Sequence, residues 1–103
     1  MVKIKEFVLI KYIERKLGKY DIKILHFIPG RLRLQSPQWK TNVTLVEKLV
    51  KELQAQPLVF SVQPTPVTGS LIITYDAAYL TTIQELDSWF EVLDQVYRTE
   101  YIK

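Results

Sequence analysis

Eight residues, His26-Phe27-Ile28-Pro29-Gly30-Arg31-Leu32-Arg33, hold the only histidine of the chain and two of its arginines around a Pro-Gly pair. An imidazole can ligate a metal or carry a proton near neutral pH. Two guanidiniums can grip a carboxylate or phosphate through forked hydrogen bonds. Whether the three groups act together depends on the backbone. If residues 21–28 and 31–35 form a hairpin turning at Pro29-Gly30, then Ile28 pairs with Arg31, Phe27 with Leu32, His26 with Arg33 and Leu25 with Leu34. Side chains alternate across a strand. Leu25, Phe27, Leu32 and Leu34 then share a core face, and His26, Arg31 and Arg33 share the other. A longer loop, or a strand bent at Pro-Gly, shifts the parity and separates them. L-Pro-Gly suits a type II turn, whereas tight hairpins prefer the primed types. His26 reads either as a ligand or as a hydrogen-bonded structural residue, since a lone histidine lacks the convergent ligands of a stable metal site. The Arg-Leu-Arg-Leu run reads equally as a binding strand or as a half-exposed one.

The elements that would position these residues are legible along the chain. Residues 2–17 have an amphipathic helical pattern through Phe7, Ile10, Ile13 and Leu17, and Gly18 stands where a left-handed cap belongs. Val8, Leu9 and Tyr12 widen the apolar face, so this helix buries more than one side or docks on something else. A helix over 43–54 places Leu45, Val46, Leu49, Val50 and Leu53 on one face, with Thr44 and Glu47 at capping-box spacing. Residues 58–63 form a strand that Pro64 and Pro66 confine to a sheet edge. Thr68-Gly69-Ser70 is a turn, and Leu71 to Tyr75 is the strongest strand pattern. A last helix runs from about Thr82 to Arg98, with Thr82 and Glu85 as a capping box and Leu86, Trp89, Phe90, Leu93 and Tyr97 as its stripe. From Arg31 on, the order β-α-β-β-α is an α+β, ferredoxin-like split unit without its final strand. The 21–28 strand is expected to take that edge position. The organisation is an N-terminal amphipathic helix over 1–19 and a ferredoxin-like domain over 20–103, the helix lying over the open sheet face or contacting a membrane or partner.

Composition narrows the function classes. At 103 residues, 48% hydrophobic and 24% charged, the chain reads as one globular domain. It has no cysteine, so disulfides, thiolate metal sites and cysteine nucleophiles are excluded. No apolar run approaches a membrane span, and the start lacks the pattern of a secretory signal, so the cytoplasm is the expected compartment. Residues 1–40 carry ten Lys and Arg against three Asp and Glu, and residues 41–103 four against eight. The basic half could face phosphate, an anionic membrane or an acidic protein, or be a solvated surface without a partner. Lys3, Lys11, Arg15, Lys16 and Lys19 on the first helix suit docking at the inner face of a membrane or on a partner.

The His-x-x-Pro-Gly-Arg-x-Arg segment and the later Pro66-Val67-Thr68-Gly69-Ser70 to Tyr75-Asp76 segment flank the middle helix. Together they resemble the cysteine-less variant of the heavy-metal-associated (HMA)-like domains found in or beside heavy-metal P-type ATPases. The resemblance spans roughly residues 24–80 and carries His26, Pro29, Gly30, Arg31 and Arg33 onto the first motif, and Pro66, Thr68, Gly69, Ser70, Tyr75 and Asp76 onto the second. Thr65 stands where the family usually has asparagine. In the later motif Gly69 supplies a positive φ and Tyr75 closes the strand. The usual C-x-x-C loop corresponds here to Ser36-Pro37-Gln38-Trp39-Lys40-Thr41-Asn42, which offers no thiolate, imidazole or carboxylate. Capture of Cu(I) or Zn(II) by that route is excluded. Trp39 is exposed by position there and reads as a partner anchor, or as an apolar lid on the next helix.

The resemblance implies a non-enzymatic accessory of transition-metal transport or storage, with iron ahead of copper and a P-type ATPase or a protein of the same system as partner. Any metal contact would be weak, through oxygen or His26. A second reading is a membrane-surface or scaffold protein docking by its basic helix. A third is a carrier with His26 on a heme iron and Arg31 or Arg33 on the heme carboxylates. The exposed-aromatic signature of ferredoxin-like RNA modules is absent, which argues against nucleic acid. No Ser-His-Asp set, supported carboxylate pair or Gly-rich phosphate loop is present, which argues against an enzyme. The 58–63 edge leaves room for a homodimer by strand addition.

Overall fold

The computed structural model describes residues 4–77 and 83–101, with side chains described over 11–77 and 88–99. Its elements are α1 (Ile4–Gly18), β1 (Lys23–Ile28), β2 (Arg31–Gln35), a 3-10 turn (Pro37–Lys40), α2 (Val43–Gln54), β3 (Val59–Thr65), β4 (Ser70–Tyr75) and α3 (Ile83–Tyr101). The strands form one antiparallel sheet in the order β1-β2-β4-β3. β1 occupies the edge beside β2 that the last strand of a ferredoxin-like unit would fill. This is the expected α+β architecture.

Both sides of the core follow from residue spacing. β2 and β4 turn Leu32, Leu34, Leu71, Ile73 and Tyr75 to one face, and all are buried. Against them α2 lays Leu45, Val46, Leu49 and Leu53, and α3 lays Trp89, Leu93, Val96 and Tyr97. The β3 edge runs past Pro64, which pairs with Leu71, to Thr65. Proline is tolerated there because its missing N–H faces no neighbour strand.

α1 does not lie over the open face of the sheet. Ile13 and Leu17 belong to the same core as α2 and α3. The Tyr12 ring meets Phe90 of α3 edge-on at 5.8 Å, and Tyr20 stacks on Tyr97 at 4.4 Å. The helix therefore spends its described apolar face inside the protein and sits beside α3.

Two helix caps differ from expectation. Gly18 lies within α1, and Asp21 takes the left-handed conformation at φ 60°. The amide of Ile22 donates to Leu17 O and that of Asp21 to Gly18 O, a Schellman arrangement that brings Ile22 onto Leu17. The cap moves three residues on because burying Leu17 and Ile22 in one contact favours the longer helix. At the start of α2 the cap is Asn42, whose side chain accepts from the Leu45 amide at 3.0 Å, and not Thr44. The Thr82–Glu85 box lies outside the described residues.

Candidate functional site

The β1–β2 hairpin turns in two residues, Pro29 and Gly30, with Ile28 opposite Arg31. Gly30 has φ 85°, the sign that a Pro-Gly type II turn demands of its glycine. Tyr75 clamps the turn from the neighbouring strand. Its amide donates to Gly30 O at 3.0 Å and its hydroxyl donates to Ile28 O at 3.3 Å. Burial pushes the Tyr75 hydroxyl above its ordinary pKa, against a smaller opposing backbone hydrogen bond at Gly30. Tyr75 thus does more than close β4: it fixes the turn that sets the parity of the motif.

The parity is the one that groups the charges. His26 pairs with Arg33, Phe27 with Leu32 and Ile28 with Arg31. His26 and Arg31 are exposed and Arg33 is half-buried on the open face, while Phe27 packs on the core. One expected pairing fails. A bulge between Ile24 and His26 puts Ile24, not Leu25, opposite Leu34. Ile24 joins the core, and Leu25 is left 45% exposed beside His26. A bulge adds the strand twist that a non-primed turn does not supply.

Apart from Lys23, opposite Gln35, the strand residues on the rest of the open face are neutral. β4 contributes Ile72 and Thr74, and β3 contributes Ser61, whose hydroxyl shares a 2.5 Å hydrogen bond with that of Thr74. No strand contains an aspartate or glutamate. Lys19 pairs with Asp94 at 3.2 Å, on the helical side. The strands thus offer Arg31 and Arg33 no carboxylate, and the buried Nε of Arg33 has no acceptor among the described residues.

The 36–42 loop is closed by packing. Trp39, expected to be exposed, is 3% exposed and donates its indole N–H to the Tyr97 hydroxyl at 3.1 Å. An indole buries a large apolar area once its N–H finds an acceptor, and α3 supplies that acceptor. Ser36 ties the loop to the later motif by donating its amide to Gly69 O at 2.9 Å. Gly69 has φ 67°, and a Cβ there would stand 2.7 Å from Ser36 O. The glycine is needed for its φ, as the sequence indicates, and also for this close approach.

No group of three or more His, Cys, Asp or Glu side chains converges among the described residues. The metal that such a fold implies does not fit the donors present. His26 has two guanidiniums on its face, a setting that repels a cation, and among the described residues it belongs to no cluster of three such donors. Lys11, Arg15, Lys16 and Lys19 are exposed along α1, with Lys16 over the Tyr12 ring at 5.6 Å and Lys19 over Tyr20 at 5.1 Å. Lys3 lies outside the described residues. No helix among the described residues is long and apolar enough to cross a membrane.

Sequence reasoning missed the aromatic stack of Tyr20 on Tyr97 and the Asn42 cap. Asn42 was legible, standing three residues before the first buried leucine of α2. Tyr20 was not, because its partner lies far along the chain. The model of one protein family, described as heavy metal associated domain 2, matches residues 5–88. No curated protein and no solved structure matches the chain.

Proposed function

Because the chain belongs to the heavy metal associated domain 2 family, we propose that it is a non-enzymatic accessory module of transition-metal transport or storage, iron first among the metals, that works by protein contact. Its partner in this reading is a heavy-metal P-type ATPase or a protein of the same system, met at the cytoplasmic face of a membrane. The observation that carries the reading is the closed 36–42 loop. Where the metal loop of the usual domain would open, Trp39 is packed into the core and hydrogen-bonded to α3. Family membership supports a metal-related role, and the absence of a three-donor cluster among the described residues supports contact as the means.

The deciding experiment measures metal and heme content of the purified protein. Titration with Fe(II), Zn(II) and heme follows, wild type against His26→Ala. The expected result is no stoichiometric binding at tens of micromolar, a free energy of roughly 6 kcal/mol. Stoichiometric binding that His26→Ala abolishes would replace the adaptor with a carrier or sensor centred on His26, and Arg31 and Arg33 would then be candidates for holding heme carboxylates.

Among the described side chains of α1, the support for the membrane reading is electrostatic. Ile13 and Leu17 are buried against the other helices, so α1 offers a lipid surface its cations and not this stripe.

A further inference from the structure

We infer that the open face of the sheet, centred on Arg31 and Arg33, is a docking surface for an acidic, partly apolar polypeptide segment of another protein. The inference rests on the adaptor reading and names its surface. Arg31 and Arg33 project from a central strand to the same side, about 7 Å apart along it. That spacing matches carboxylates two apart on an extended segment or one turn apart on a helix. The four strands hold Lys23, His26, Arg31 and Arg33 and no carboxylate at all. The described acidic residues of the chain belong instead to the helices and loops. Arg33 is half-buried and its Nε has no acceptor among the described residues, so part of a charged donor is left unsatisfied. An incoming carboxylate supplies the missing counterion in forked geometry.

Apolar neighbours refine the partner. Ile28 is 43% exposed and Leu25 45% exposed beside the cations, and Ile72 is half-buried on the same face. A segment alternating acidic and aliphatic side chains satisfies both. A lipid surface fits less well, since the lysine-rich stretch of the chain is α1, packed beside α3 on the helical side. Single-stranded nucleic acid fits less well too, because the central strands β2 and β4 present no aromatic ring to this face.

The test uses the whole chain and a fluorescent peptide alternating glutamate and leucine, with its glutamine counterpart as control. Saturable binding is expected for the glutamate peptide only. Arg31→Gln with Arg33→Gln is expected to weaken it about tenfold or more, the scale of one or two charge-assisted hydrogen bonds. Lys51→Gln with Arg98→Gln, the same charge change on the helical side, is expected to leave it within about twofold. Thermal unfolding establishes that each variant is folded. Absence of saturable binding by the wild type, or equal loss in both double variants, overturns the inference. So does tighter binding to phosphatidylserine vesicles or to a single-stranded oligonucleotide than to the peptide, or self-association that the Arg31 and Arg33 changes abolish. Metal capture through His26 with peptide binding intact would sink the adaptor reading alone. Peptide failure without metal capture would sink this inference alone.

Discussion

Asp21 sits in a backbone region that favours glycine, while Gly18, three residues earlier, sits in a helix that favours alanine. Exchanging the preferences should stabilise the protein. A Cβ at Gly18 meets nothing within 4 Å, so Gly18→Ala should add about 0.5–1 kcal/mol. Asp21→Gly relieves left-handed strain and should add several tenths of a kcal/mol or more, about 1 at most. Urea denaturation checks both, and a loss in either would show that the cap is held by something other than backbone preference. Tyr75 gives a pH prediction. Its folded pKa is raised, so the folded state holds the phenolic proton more tightly than the unfolded chain does. That stability is complete below about pH 10 and falls as pH rises past it. The urea midpoint of wild type should therefore drop more steeply than that of Tyr75→Phe between about pH 9.5 and 11; parallel curves would remove the effect from Tyr75. At this scale the sequence was informative where turn length set parity. His26, Arg31 and Arg33 share a face because two residues separate the strands. Leu25 escaped because Ile24 and Leu25 are adjacent aliphatic residues, and residue type does not say which of the two the bulge turns to the core.

The 3-10 turn and the Pro66–Gly69 turn behave as one unit, since Ser36 and Gly69 touch through their backbones. Gly69→Ala forces a left-handed alanine and a 2.7 Å clash with Ser36 O, and it should cost about 2–3 kcal/mol. The loss should come with loosening of the neighbouring loop, read as a red shift of Trp39 emission in a Trp89→Phe background. A stability loss with unchanged emission would uncouple the two turns. The bounds of α2 and β2 follow from their patterns alone, because a strong apolar period and flanking breakers leave few choices. The fate of the 36–42 loop does not. Whether Trp39 anchors a partner or fills the core depends on the Tyr97 hydroxyl, 58 residues away. Local sequence carries no trace of that distance.

At the scale of the molecule, α1 is part of the core and not an appendage laid on it. Deleting residues 1–19 removes Ile13 and Leu17 and should cost about 3–6 kcal/mol, two buried aliphatic side chains. Domains of this size have about 5–15 kcal/mol in all, so the truncated chain should unfold at a clearly lower urea concentration; an unchanged midpoint would place α1 outside the cooperative unit. Vesicle binding is accordingly better tested with Lys11→Gln, Arg15→Gln and Lys16→Gln than by truncation. The sheet order was legible because a missing final strand and a spare first one have a single common solution. The position of α1 was not, because an amphipathic stripe states that a helix has a side to bury and not which surface receives it. The placing of β1 has a further consequence. With α1 set aside, the elements read as a ring give β2-α2-β3-β4-α3-β1, the strand–helix–strand–strand–helix–strand order of the complete ferredoxin-like unit. Tyr20, just ahead of β1, already rests on Tyr97 in the last turns of α3. The two arrangements are thus circular permutations of one strand-and-helix order, with α1 as an extra segment at the join, and the sheet is the same in both.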